Sequence, residues 1–190
     1  MSGVDLVTPP AAEPITLAQA KAHLRVESDY DDTQISGLIT ASREAVESYT
    51  RRTLLHTVWK YRMDGCFPWE IRLPRGPLRT TTGLAITYVD DAGDTQTLAA
   101  DQYQVSLGNV GVIRPAYGLT WPTTRSQMDA VAVQFTAGEA SASLIPGALL
   151  TGLLMELGNR YAYRESVATQ IMDIGALSAR NLLTPYVIHD

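Results

Sequence analysis

The 190-residue chain has one cysteine, three histidines and only two lysines, Lys21 and Lys60. A lone thiol, Cys66, excludes an internal disulfide framework, and His23, His56 and His189 fall at no spacing that would converge ligands on a metal. No cofactor is expected. Fifteen basic against twenty acidic residues leave a formal net charge of −5, so the basic stripe with which a sequence-specific protein grips DNA is missing. No apolar run approaches the roughly 18 residues of a membrane span. Residues 1–15 lack the basic start and apolar middle of a secretory signal, so the expectation is a soluble protein made in the cytoplasm.

Catalytic signatures are missing too. A Ser-His-Asp hydrolase needs a serine on a sharp turn, but no Gly-x-Ser-x-Gly occurs, and the glycines at 108, 111 and 118 fit neither a phosphate loop nor a dinucleotide fingerprint. His23 lies in a predicted helix and His56 on a predicted β edge, and neither has a partner at ligand spacing. Glu27, Asp29, Asp31 and Asp32 lack the spacing of a calcium loop and read as helix capping and dipole pairing. Asp90, Asp91 and Asp94 read as turn residues. Cys66 sits beside Phe67 in an apolar context and is expected to be inert. The chain is not expected to be an enzyme.

What is present is a 45% hydrophobic content, enough for an ordinary domain with a real core. The prolines at 9, 10 and 14 predict an extended or flexible arm over residues 1–14. Thr16 and Gln19 form a capping box ahead of a helix from Leu17 to about Arg25. A second helix, with Ile35, Leu38, Ile39, Ala45, Val46 and Tyr49 as its apolar stripe, ends near Arg51 or Arg52. From His56 the period shortens to two, with Trp59, Tyr61 and Met63 alternating with Val58, Lys60 and Arg62, then Ile71 and Leu73 flanking Arg72, then Leu84, Ile86 and Tyr88.

A turn at residues 90–94 uses Gly93 for positive φ, and Tyr103, Val105, Leu107 and later Val131, Val133, Phe135 make further strands. Residues 108–125 read as a surface loop with a short strand at 111–114. Pro146 opens a third helix with Leu149, Leu150, Leu153, Leu154 and Leu157 on a broad apolar face, reaching about Arg164. A short fourth helix from Ala176 to Leu183 is stopped by Pro185. The fold class is therefore α+β: a small core of about four helices, residues 15–54 and 145–183, with an antiparallel β module at 55–138 inserted between helices two and three. A tail follows at 184–190.

Several patches carry a resemblance to a known family. They are Ile15-Thr16-Leu17-Ala18-Gln19-Ala20 through Leu24-Arg25-Val26 with Asp31-Asp32; Ile71-Arg72-Leu73-Pro74-Arg75-Gly76-Pro77-Leu78; Tyr117-Gly118, Trp121-Pro122 and Arg125; Asp129-Ala130-Val131 to Phe135-Thr136-Ala137-Gly138; and Tyr161-Ala162-Tyr163-Arg164-Glu165 before Leu182-Leu183-Thr184-Pro185-Tyr186. In this order they resemble the head-tail connector, or adaptor, proteins of long-tailed phages and related gene transfer agents. Val187 and Glu139 depart from the family pattern, which often has an arginine and an aromatic there.

The resemblance implies a structural virion protein at the neck of the capsid vertex. It would form a ring of twelve copies between the portal protein and the stopper or tail-completion protein, with DNA passing transiently and non-specifically through the lumen. Contacts are expected from Arg160 and Arg164, from Tyr117 and Trp121 as aromatic anchors, and from Pro185, Tyr186, Val187 and Ile188 in a tail that docks on a partner or folds back on its own helices. Arg43, Arg51 and Arg52 are further candidates for meeting a neighbour's carboxylates. Two other classes stay open: a small cytoplasmic hydrolase with a dispersed site, and a monomeric peptide-binding module using a free β edge.

Overall fold

A computed structural model of the chain describes residues 3–162 and 179–189. Strand β1 spans Gly3–Thr8, helix α1 Leu17–Leu24 and helix α2 Asp32–Thr50. Seven strands follow: β2 Thr57–Met63, β3 Ile71–Arg72, β4 Ala85–Val89, β5 Thr95–Leu98, β6 Tyr103–Ser106, β7 Val112–Pro115 and β8 Val131–Ala137. Helix α3 is Gly147–Ala162, residues 179–183 are helical, and Thr184–Tyr186 forms a 3-10 turn. The class is α+β, with the strand module between α2 and α3 as the periodicity predicts. The chain divides into two compact units: a β unit from Met1–Pro10 and His56–Gly138, and a helical unit from Ala11–Leu55 and Glu139–His189.

In the helical unit, the Gln19 amide donates to Thr16 Oγ1 at 3.2 Å and the Thr16 amide donates to Gln19 Oε1 at 2.8 Å, closing the predicted capping box of α1. The start of α2 differs from expectation. Asp31 occupies the cap position but its side chain makes no cap bond; it accepts instead from the Tyr161 hydroxyl at 2.7 Å, while Asp29 and Asp32 accept from Lys21 at 2.6 and 2.7 Å. The acidic turn is therefore consumed by a lysine and a tyrosine that only folding brings near. Ile35, Ile39 and Val46 of α2 pack with Leu149, Leu153 and Leu157 of α3, together with Ile15, Leu54, Leu55 and Leu183, into one apolar cluster.

A polar network crosses the same unit. Arg43 is buried, donating from Nε to Glu13 Oε2 at 2.8 Å and from Nη1 to Glu47 Oε2 at 2.9 Å, and the Leu54 amide donates to Glu47 Oε1 at 2.7 Å. Burial works against its charge, but the carboxylates of Glu13 and Glu47 outweigh it and hold its pKa above the ordinary value. Arg43 thus meets carboxylates of its own chain. Arg52 is likewise buried, donating from Nε to the Tyr186 carbonyl at 2.6 Å. Arg51 adopts a left-handed conformation, φ 54°, which ends α2.

The tail differs from expectation as well. Thr184 is not extended: Pro185 sits in the first turn of the 3-10 helix, where its missing N–H costs nothing, and Thr184 Oγ1 bonds the Arg180 carbonyl at 2.8 Å. The chain then folds back on its own unit. The Ile188 amide donates to the Thr50 carbonyl at 2.9 Å, the Ile188 side chain is buried, and the Tyr186 ring lies 5.8 Å from the Arg52 guanidinium.

In the β unit the strands form a five-stranded antiparallel sheet, β1-β2-β8-β4-β5, and a three-stranded one, β3-β7-β6. The segment expected as an arm is extended but paired, with Val4 opposite Tyr61 and Leu6 opposite Trp59. Met63, Ile71, Leu73, Leu78, Ile86, Ile113, Val131, Val133 and Phe135 fill the core. Gly111 is required by contact: a Cβ there would meet Leu78 Cδ2 at 2.7 Å and Leu73 Cδ1 at 2.8 Å. The tip at Asp90–Asp94 is the predicted tight turn, with Gly93 at φ 97°.

Candidate functional site

Among the described residues no three His, Cys, Asp or Glu side chains converge on a metal-sized point, and no helix is long and apolar enough to cross a membrane. The shifted titrations come mostly from ion pairs. Lys21 is raised by hydrogen bonds to Asp29 and then Asp32, Asp29 is lowered by Lys21, and Glu70 is lowered by Arg114 and then Arg72. Each shift favours the charged form, the opposite of the burial that holds an acid or base ready near neutral pH. Cys66 is exposed, so its predicted apolar setting is corrected: Gly65 and Phe67 flank it in sequence, but the Phe67 ring turns into the core.

The residues singled out as contacts fall in separate places. Arg160 is on the exposed side of α3, held by Glu156 one turn earlier at 2.9 Å. It rims a groove of about 270 Å³ lined by Tyr49, Glu156, Arg180 and Leu183. Arg164 lies outside the described residues. Tyr117 is fully exposed, on a turn where the Leu119 amide bonds the Ala116 carbonyl at 2.9 Å and Gly118 takes φ 78°. Trp121, four residues on, turns the other way and stacks on Phe67 with ring centroids 4.7 Å apart and planes 11° from parallel. Pro185 is exposed and Val187 half-buried, whereas Tyr186 and Ile188 are engaged by Arg52 and Thr50.

Two exposed features escape a reading of the sequence. One is a rigid tip: the Gly65 amide bonds the Gln127 carbonyl at 2.9 Å, Thr124 Oγ1 bonds the Gly65 carbonyl at 3.0 Å, and the joined loops display Trp69 and Met128 to solvent. The other is the outer face of the three-stranded sheet. Ile71 pairs with Ile113 and Arg72 with Val112, while Gln104 pairs with Arg114 and Ser106 with Val112. Alternation buries Ile71 and Ile113 and turns Glu70, Arg72, Gln104, Ser106, Val112 and Arg114 outward around a depression of about 470 Å³. Glu70 bridges its two arginines, accepting from Arg72 Nη1 at 3.1 Å and from Arg114 Nη2 at 2.5 Å. The alternation is visible in each strand, but nothing local says that segments so far apart pair.

Such surfaces can bind other macromolecules. The chain is similar in fold to chains of three solved assemblies. In the neck of an empty gene transfer agent particle computed with C6 symmetry, the identity is 21%, coverage is 99% of this chain and 96% of the other, and the TM-score is 0.79. For the virion of a native gene transfer agent particle the values are 22%, 98% and 96%, with a TM-score of 0.78. For the neck of a native particle computed with C12 symmetry they are 23%, 100% and 96%, with a TM-score of 0.74. No curated protein matches the chain. Residues 14–106, from the turn before α1 to the end of β6, match the family described as phage gp6-like head-tail connector protein. Over that segment the chain is similar to the phage gp6-like head-tail connector family.

Proposed function

We propose that the chain is a structural head-tail adaptor of a phage, prophage or gene transfer agent, assembled as a ring in the virion neck. The observation that carries this is the connector-family match across α1, α2 and most of the β unit. Its support is the fold shared over nearly the whole chain with proteins of particle necks computed with C6 and C12 symmetry. In this reading the ring has twelve copies, binds the portal on one side and the stopper or tail-completion protein on the other, and leaves a lumen for DNA. A net charge of −5 suits a conduit that must not grip phosphate.

Contacts in the ring are assigned to Arg160, Arg164, Tyr117, Pro185 and Val187, with Trp121, Tyr186 and Ile188 bracing the segments that carry them. A hydrolase or a monomeric peptide-binding module is not favoured, because neither accounts for the family match. The reading is tested by particle purification: the chain should co-purify with tailed particles, and deleting its gene should leave filled heads without tails. Tailed particles of normal yield from the deletion strain would overturn it.

A further inference from the structure

A ring with one kind of subunit uses a heterologous interface, so each copy must carry two different surfaces that fit one another. The β unit holds such a pair. The first is the outer face of the three-stranded sheet, where Arg72 and Arg114 share the single carboxylate of Glu70 and leave one net positive charge in a depression of about 470 Å³. Arg114 spends Nε and Nη2 on Glu70 and Arg72 spends Nη1, so each guanidinium keeps further N–H donors for a second anion. Gln104 and Ser106 add polar groups at the same rim, both exposed.

The second surface is the β4–β5 turn. Asp90 is used internally, accepting from the Asp94 amide at 2.9 Å and from Gln96 Nε2 at 2.8 Å. These bonds, with the Gly93 amide on the Asp90 carbonyl at 2.9 Å, define the tip. Asp91 and Asp94 stand exposed on it, and among the described residues neither carboxylate has an ion-pair or hydrogen-bond partner. Arg125 runs beside the turn at Gly93, so the tip is acidic but not uncompensated. A preformed turn presenting two carboxylates matches a pocket presenting two arginine forks, at little ordering cost.

We infer that in the ring the Asp90–Asp94 turn of one copy seats on the Arg72–Arg114 face of the next. The inference rests on the adaptor reading and names one contact within it. It is tested in particle-producing cells with the full chain. In a Cys66→Ser background, Asp94→Cys and Ser106→Cys together should yield a ladder of covalent multimers from purified particles after treatment with a short thiol-to-thiol cross-linker, and neither single cysteine should.

Arg114→Glu alone, and Asp91→Arg with Asp94→Arg, should each lower the yield of tailed particles about tenfold or more, since like charges then face each other. Combining all three should restore it to within about threefold, an outcome that damage to folding cannot produce. Particles that contain the chain but give no ladder, with no rescue by the combined variant, overturn this contact and leave the adaptor reading standing. Absence of the wild-type chain from particles overturns both. Retention of duplex DNA by the isolated chain at physiological salt, lost on Arg114→Glu, would assign the face to phosphate and overturn the contact.

Discussion

The arginines show how far a residue's role depends on where it lands. Composition marks them only as the dominant basic type, yet Arg43 lies inside the helical unit between Glu13 and Glu47 while Arg160 stays at the surface. Arg43→Met should therefore cost about 3–5 kcal/mol in urea denaturation, because the buried Glu47 carboxylate would lose its ion pair with the guanidinium. Arg160→Met should change stability by no more than about 0.5 kcal/mol, as expected for an exposed i,i+4 pair. Trp121 makes a similar point beside Tyr117. Trp121→Ala removes the ring stacked on Phe67 and should cost about 3 kcal/mol, whereas Tyr117→Ala should leave the melting temperature unchanged.

Glu70 gives a pH signature with a definite sign. Its pKa is lowered by Arg114 and then Arg72, so its contribution to stability is present at neutral pH and lost as the pH falls through the lowered value. Glu70→Gln should flatten the acid side of a stability-against-pH profile while leaving the alkaline side unchanged. A variant with the same acid slope as the parent would show that the bridge contributes nothing.

Among the elements, α1 and α3 were legible because a helix announces itself locally: a capping box, a proline before the first turn, leucines at 3.6-residue spacing. The end of the chain was less so. Residues 184–189 look like an apolar tail in need of a partner, and the partner is the unit's own α2. Truncation after Leu183 should thus destabilise the helical unit by roughly 2–3 kcal/mol, the burial of one isoleucine plus a backbone bond, read as a lower melting temperature. Gly152→Ala tests the same packing from α3, since its Cβ would lie 2.6 Å from Leu183 Cδ2. About 1–3 kcal/mol of overpacking cost is expected.

For the whole molecule, the proposed ring requires surfaces that recur identically in every copy. Charge reversal at Arg160 should block assembly of tailed particles without unfolding the purified chain, as monitored by circular dichroism and particle counts together. Normal particle yield from Arg160→Glu would remove that residue from the proposed contacts. The surfaces themselves were the least legible part of the chain. Arg72, Gln104, Ser106 and Arg114 come from three strands that the sequence keeps apart, with Glu70 just ahead of β3, and the face they form exists only once β7 pairs on both sides.

Sequence alone determined the helix and strand periods, their order, the insertion of the strands between the second and third helices, and the family to which the chain is similar. These depend on interactions over a few residues, or on the order of short motifs. Tertiary structure decided which arginine is buried, which aromatic packs and which stands free, and where the tail goes. Those outcomes depend on partners dozens of residues away, such as Thr50 for Ile188 and Glu13 for Arg43, and no local pattern encodes a partner that only the closed fold brings within reach.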